Sequence, residues 1–230
     1  MYLHDFGGQV PDDWKWIDGH PFPPQIEVAG EISVPMNECS DVMVCHECNR
    51  AWLVRKMGWT KGLKRINIGC DIFKVPGMIN VDLRWSVKPT VVMNILRMGF
   101  KDSCSSEINL GNIVEHLSEG DIRPALNECK RILVPTGVVY IVSPMLDIVE
   151  ECYKRGETDQ NMVNQVKNGD AEGPNSHQVQ LKSGDLEKFA SDCGFRKLER
   201  LNLKRFPYMV VSNINDPKPD PWQYGIAAFK

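Results

Sequence analysis

The stretch that decides the fold runs from residue 66 to residue 82 and contains two short apolar segments. The first is Ile66-Asn67-Ile68-Gly69, and the second is Met78-Ile79-Asn80-Val81-Asp82. Each segment is a brief aliphatic run that stops at a turn-forming or acidic residue, which predicts two buried strands. Only residues 70–77 separate them. A parallel crossover normally needs a dozen or more residues, so we expect at most one helical turn there and an open cleft beside it.

Further strands and helices are predicted on the C-terminal side of this stretch. Strands are expected at residues 90–93, 107–111 and 138–142, and a helix at 121–133 carries apolar side chains at the spacing of one helical face. A helix capped by Ser183 is expected to end near Cys193, and strands are expected at 196–206 and 223–229. Strands that alternate with helices predict an α/β fold with a largely parallel sheet.

Two other regions are interpreted from weaker patterns. Residues 1–60 predict an N-terminal arm followed by a helix at 41–57, capped by Ser40 and packed on a main domain of residues 61–230. Residues 150–182 are polar and rich in glycine, which predicts a long loop with at most one helix. We expect this loop to act as a lid that faces a substrate.

Composition and charge narrow the class of protein. The chain has 230 residues, 42% of them hydrophobic, and a formal net charge of -3. This balance is typical of a globular domain and does not favour a nucleic-acid surface. No signal peptide or membrane-spanning stretch is recognised, and eight scattered cysteines indicate reduced thiols. We therefore expect a cytoplasmic protein with no membrane partner.

Polar or flexible residues end three successive predicted strands. Gly69 would let a ligand approach the backbone, Asp82 could accept hydrogen bonds from both hydroxyls of a ribose, and Asn94 could meet an adenine edge. Each of them alone is commonly just a turn residue. Their ordered occurrence at the ends of three strands favours a nucleotide-type ligand.

Several motifs in the correct order resemble one branch of the class I S-adenosylmethionine (AdoMet)-dependent methyltransferases. The similarity covers about residues 64–206. The segments that carry it are Ile66-Asn67-Ile68-Gly69-Cys70-Asp71, Pro76-Gly77-Met78-Ile79-Asn80-Val81-Asp82, residues 94–102, Asn112-Ile113-Val114-Glu115-His116-Leu117 and residues 128–137. Each segment alone is weak, whereas five in the right order are specific. The resemblance implies a Rossmann-like sheet, mostly parallel with an antiparallel last strand, and helices on both faces.

The resemblance also implies a role for each matching position, with AdoMet as the cofactor. The first-strand turn would lie beneath the methionine part of AdoMet, Asp82 would bind the ribose, and Glu115 and His116 would stand at the mouth facing the substrate. The implied cofactor-binding residues are Asn67, Gly69, Cys70, Asp71, Asp82, Leu83, Asn94, Ile95, Leu110, Gly111 and Glu115.

Two positions depart from the family's pattern. Asp71 stands where the family has a glycine, and its carboxylate could bind the cofactor's ammonium group or repel its carboxylate. Asn94 stands where the family has an acid, and an amide can still accept a hydrogen bond from the adenine amine but without charge assistance. These departures keep a non-catalytic AdoMet-binding module open beside an enzyme.

The predicted reaction is methyl transfer to a small-molecule or glycan-like acceptor. His116 and His177 are the candidate general bases, although His116 could simply bond a nearby carbonyl and His177 could be an exposed loop residue. No metal is predicted, because the single Cys45-x-x-Cys48 pair lacks a second pair. A nicotinamide oxidoreductase is not favoured, since a full Gly-x-Gly-x-x-Gly is absent.

Overall fold

The structure is a computed structural model. It describes residues 64–84, 87, 89–169, 176–206 and 220–230, together with the backbone of five strands nearer the N-terminus. Those strands are β1 (Lys15–Ile17), β2 (His20–Phe22), β3 (Ile26–Ile32), β4 (Val42–Val44) and β5 (Ala51–Lys56). The first two form one antiparallel pair, and β3, β5 and β4 form a three-stranded sheet.

A seven-stranded mixed sheet forms the centre of the main domain. Its strands are β6 (Lys64–Ile68), β7 (Ile79–Asp82), β8 (Val91–Val92), β9 (Ser105–Gly111), β10 (Leu133–Pro144), β11 (Lys197–Arg200) and β12 (Gln223–Phe229). Their order in the sheet is β11-β12-β10-β9-β6-β7-β8. The strands from β10 to β8 pair in parallel, and β12 runs antiparallel to both β10 and β11. The predicted Rossmann-like sheet with an antiparallel last strand is therefore confirmed.

Four α-helices are found among the described residues. They are α1 (Glu119–Ile132), α2 (Leu146–Lys154), α3 (Gln160–Asn168) and α4 (Asp185–Asp192). Side chains of α1, α4 and the sheet form the main hydrophobic core, while α2 and α3 pack with Trp222 in a smaller cluster. Within the described residues, none of the helices is both long and apolar enough to cross a membrane.

The connection between β6 and β7 agrees with the short spacing in the sequence. The chain passes from Ile68 to Ile79 through turns, and the described residues of this connection contain no helix. The backbone still joins two parallel neighbours, because Gly69 and Gly77 adopt φ of +64° and +76°. Glycine reaches such angles without steric penalty, so the chain can reverse in few residues.

The helix predicted at 41–57 is wrong. The described residues in this range form β4 and β5, which pair antiparallel with Val42 opposite Leu53 and Val44 opposite Ala51. Apolar residues at helical spacing misled the prediction. The β-branched Val42, Val44 and Val54 favour strands, because their side chains pack well on a pleated surface. The division of the chain near residue 60 stays a prediction.

In the range 150–182, which was predicted as a long loop with at most one helix, α3 is the one complete helix, and the last residues of α2 also fall there. Two smaller corrections concern the C-terminal third. Gly184, not Ser183, is the N-cap of α4, and the strand predicted at 196–206 is only Lys197–Arg200. Gly194, with φ of +73°, ends α4 as expected.

Candidate functional site

A cavity of about 760 Å³ opens at the carboxyl ends of β6, β7, β8 and β9. Its size is in the range of small-molecule and cofactor sites, and its position is the usual binding edge of a parallel α/β sheet. Every residue that the sequence predicted for cofactor binding or catalysis lines it, with the exception of Leu110. The Leu110 side chain is fully buried in the hydrophobic core, so only its neighbour Gly111 reaches the cavity.

The turn after β6 shapes one wall of the cavity. A β-carbon added at Gly69 would lie 1.7 Å from Cδ1 of Ile113, which also lines the cavity. The next residues are held in place by backbone bonding, since Cys70 N donates to Val81 O at 3.0 Å. Asp71 has φ of +42°, a conformation that favours glycine and that aspartate tolerates better than most residues. The backbone at position 71 thus keeps the shape of a glycine turn.

Asp82 is buried at the end of β7 and is already hydrogen-bonded. Its Oδ2 accepts from Asp71 N at 2.9 Å, and its Oδ1 accepts from both Arg84 N at 2.9 Å and Arg84 Nε at 3.2 Å. Arg84 also forms an ion pair with Asp71, with Nη2 3.2 Å from Oδ1. A ribose that binds Asp82 therefore competes with the Arg84 guanidinium. The sequence analysis did not identify Arg84 as a site residue, although it lies only two positions after Asp82.

Asn94 and Ile95, which follow β8, also line the cavity. Asn94 Oδ1 accepts a hydrogen bond from Leu96 N at 2.9 Å, which holds the turn after β8. To accept from an adenine amine as well, this oxygen must use its second lone pair. Leu83, at 55% exposed, presents an apolar side chain on the β7 side, where the resemblance expects a contact with adenine.

A buried row of asparagines crosses three parallel strands beneath the cavity. Asn67 Nδ2 donates to Asn80 Oδ1 at 2.9 Å, and Asn109 Nδ2 donates to Asn67 Oδ1 at 2.8 Å. Asn109 Oδ1 is buried, and none of the described residues donates a hydrogen bond to it. The sequence analysis identified only Asn67 as a site residue. The row could have been predicted, because β6, β7 and β9 each contain the pair Ile-Asn followed by an aliphatic residue.

Glu115, His116 and His177 meet at one end of the cavity. Glu115 does not stand at the mouth as predicted, because only 2% of it is exposed. Burial raises the pKa of its carboxyl to about 7, and the Ser143 hydroxyl, which donates to Oε2 at 2.7 Å, opposes this shift. The rings of His116 and His177 pack edge to face with centroids 4.9 Å apart.

Both histidines contact backbone carbonyl oxygens. Nδ1 of His116 lies 3.1 Å from Ser176 O, so the carbonyl contact considered for this residue is present. Nδ1 of His177 lies 2.8 Å from Val166 O, and the side chain is half-buried instead of exposed. The fold brings the two rings together although they are far apart in sequence.

Residues from α3 and the C-terminal region complete the cavity beyond the histidines. Met162, Gln165 and Val166 project from α3, and Trp222 and Gln223 enter from the start of β12. The sequence did not reveal this wall, because the helix allowed within 150–182 could not be located from a local pattern. The wall combines apolar and amide groups, a mixture that is common in small-molecule sites.

The structure describes only some of the cysteines that the sequence analysis considered. Cys45, His46, Glu47 and Cys48 fall outside the described residues. Cys70, Cys104, Cys129, Cys152 and Cys193 are free thiols. Burial raises the pKa of Cys70 to about 12, helped by the nearby Asp82 carboxylate, so this cavity residue is a protonated thiol at neutral pH.

The fold is similar to those of solved SAM-dependent methyltransferases. The methyltransferase SibL, an S-adenosylmethionine-dependent enzyme, matches with a TM-score of 0.51 and 10% identity over 75% of this chain and 51% of its own. A SAM-dependent methyltransferase from Archaeoglobus fulgidus matches with a TM-score of 0.48 and 18% identity over 75% of this chain and 88% of its own. Another, from Methanosarcina mazei, matches with a TM-score of 0.46 and 15% identity over 75% and 94%.

No protein-family profile and no curated protein matches the chain. The strand order, the antiparallel last strand and the likeness to SibL together show the Rossmann-like fold of class I SAM-dependent methyltransferases. Identities this low define the fold alone.

Proposed function

We propose that the chain binds AdoMet in the cavity and transfers its methyl group to a small-molecule or glycan-like acceptor. The observation that carries this proposal is the convergence of the Gly69 turn, Asp82, Asn94 and Gly111 on one cavity of about 760 Å³. Nucleotide-type ligands bind at this edge of a parallel sheet.

The residues present fit the cofactor at three points. Glycine at 69 keeps space that a β-carbon would close against Ile113. The buried Asp82 offers carboxylate oxygens to ribose hydroxyls once Arg84 gives way. Asn109, which also lines the cavity, adds a polar residue to its wall.

Bound AdoMet supplies a methyl group on a positively charged sulfonium, and the protein's part is alignment. The wall from α3, Trp222 and Gln223 would hold the acceptor against this group and exclude water. For a hydroxyl or amine acceptor, His116 and His177 are within the cavity as proton acceptors. Their Nδ1 atoms face carbonyl oxygens, so Nε2 is the basic nitrogen of each neutral ring.

A non-catalytic AdoMet-binding module is the second candidate, and specific contacts favour it. Arg84 covers Asp82, and Asp71 places a carboxylate at the turn that the family keeps as glycine. Arg84 must move before a ribose can reach Asp82, and the Asp71 carboxylate could bind the cofactor's ammonium group or repel its carboxylate. The two functions share the cavity and differ in turnover.

Calorimetry and a turnover assay separate the two functions. The full chain is titrated with AdoMet and S-adenosylhomocysteine, and methyl transfer from labelled AdoMet is followed across a panel of hydroxyl, amine and sugar acceptors. Binding with transfer to at least one acceptor is expected. Binding without any transfer supports the module, and absence of binding contradicts both functions.

A further inference from the structure

Three metal-binding side chains from two distant segments form one cluster at the inner end of the cavity. One ligand atom from each of Glu115, His116 and His177 lies within 4.8 Å of the other two. Imidazole nitrogens and carboxylate oxygens are common ligands of first-row divalent metals. A set of two histidines and one carboxylate can therefore serve as the ligands of one divalent ion.

The orientation of both rings matches that of histidines that bind metals. Nδ1 of His116 faces Ser176 O at 3.1 Å, and Nδ1 of His177 faces Val166 O at 2.8 Å. A carbonyl oxygen only accepts hydrogen bonds, so each neutral ring carries its proton on Nδ1 and its lone pair on Nε2. Metal-bound histidines usually donate their second ring nitrogen to a carbonyl or carboxylate in this way.

Backbone hydrogen bonds hold the two segments together without help from a ligand. Gln178 N and Val179 N donate to Glu115 O at 2.8 and 3.3 Å, and His177 N donates to Asn168 O at 2.8 Å. These bonds fix the segment that carries His177 beside the one that carries Glu115 and His116. The ligand set is therefore preorganised, which reduces the entropy lost when an ion binds.

The charge of Glu115 provides a separate argument. The side chain is almost completely buried, and Ser143 Oγ donates to Oε2 at 2.7 Å. Within the part of the chain that the structure describes, no lysine or arginine forms an ion pair with Glu115. Buried carboxylates are normally paired with a cation or bound to a metal. A divalent ion here would supply a positive charge to pair with the ionised form of this carboxyl.

We propose that Glu115, His116 and His177 bind a divalent transition-metal ion such as Zn²⁺ or Co²⁺. All three line the cavity, so coordination positions not filled by protein face its interior. This site goes beyond the proposed methyl transfer and needs no AdoMet.

The test is a titration of the chelator-treated full chain with Co²⁺, which shows visible absorption when nitrogen and oxygen ligands bind it. We expect one ion per chain and loss of the absorption when Zn²⁺ displaces Co²⁺. His177→Gln and His116→Gln should each weaken Co²⁺ binding more than tenfold. Ser143→Ala, which removes only the hydrogen bond to Glu115, should weaken it by about tenfold.

Gln180→Ala is the matched control, because Gln180 is exposed in the same segment as His177 and should leave Co²⁺ binding unchanged. Circular dichroism establishes that each variant is folded. Absence of Co²⁺ absorption in the unmodified chain, or equal binding by folded His116→Gln, His177→Gln and Gln180→Ala chains, would overturn the proposal.

Calorimetry with S-adenosylhomocysteine on the same samples keeps the two proposals distinct. Co²⁺ binding without nucleoside binding supports the metal site and contradicts the proposed function. Nucleoside binding without Co²⁺ binding supports the proposed function and overturns the metal site.

Discussion

Gly69 and Ile113 are so close that a β-carbon at position 69 would lie 1.7 Å from Cδ1 of Ile113 and 2.6 Å from its Cγ1. Alanine at 69 would therefore push Ile113 into the cavity and would also strain a backbone with φ of +64°. We expect Gly69→Ala to destabilise the fold and to weaken AdoMet binding, measured by urea unfolding and calorimetry.

Gly77→Ala is the control for backbone strain. Gly77 has φ of +76°, but an added β-carbon there would have no atom of the described residues within 4 Å. This variant should lose about 1–2 kcal/mol of unfolding free energy, the cost of left-handed backbone for a residue with a β-carbon. Equal losses in the two variants would mean that the contact with Ile113 does not shape the site.

Arg84 limits access to Asp82, so its removal should strengthen nucleoside binding. Arg84→Met frees Oδ1 of Asp82 from the guanidinium bond at 3.2 Å and removes a positive charge beside the cavity. AdoMet carries one more positive charge than S-adenosylhomocysteine, so its affinity should rise more, by several-fold. Calorimetry with both ligands measures the difference. Arg155→Met, at the exposed arginine that follows the last residue of α2, should leave both affinities unchanged. Weaker binding by Arg84→Met would instead show that Arg84 contacts the ligand.

Asn80 and Asn109 of the asparagine row should contribute unequally to stability. Asn80→Leu removes the acceptor of Asn67 Nδ2 and of Val75 N, and also the donor to Val75 O. Each buried polar group left without a partner costs about 1–3 kcal/mol. Asn109→Leu leaves only Asn67 Oδ1 without its donor and removes an oxygen that has no partner. Urea unfolding should therefore show a clearly larger loss for Asn80→Leu, and the reverse order would contradict the bonding pattern.

The Cys70 thiol should resist alkylation in the folded chain. Burial raises its pKa to about 12, well above the value of 9.0 expected for an unperturbed thiol. A raised pKa keeps the thiol protonated at pH 8, and only the thiolate reacts. Mass spectrometry of the Cys70 peptide after iodoacetamide treatment should show slow labelling in buffer and rapid labelling in urea. Rapid labelling of the folded chain would mean that the turn after β6 is open to solvent.

The sequence predicts the centre of the sheet well for a local reason. Each of β6, β7 and β9 is a short aliphatic run that stops at Gly69, Asp82 or Gly111. The same local pattern therefore predicts both the strand and the site residue at its end. The helix α1 has enough apolar positions to show one continuous face. The local sequence of these elements specifies their secondary structure, and tertiary packing agrees with it.

The elements that the sequence missed depend on contacts between distant residues. The helix α3 buries only Val163 and Val166, and these pack on Leu146, Val149 and Trp222 from elsewhere in the chain. Likewise, no local pattern shows that His177 lies beside His116, because backbone bonds from Gln178 and Val179 to Glu115 create that contact. Short amphipathic helices and composite sites of this kind need the fold before they can be recognised.

The most direct test of the account is a crystal structure of the full chain grown with S-adenosylhomocysteine. The account predicts the nucleoside in the cavity at the ends of β6 to β9, with its ribose hydroxyls on the Asp82 carboxylate and the Arg84 guanidinium displaced. A nucleoside bound elsewhere, or a cavity that stays empty at saturating ligand, would contradict it.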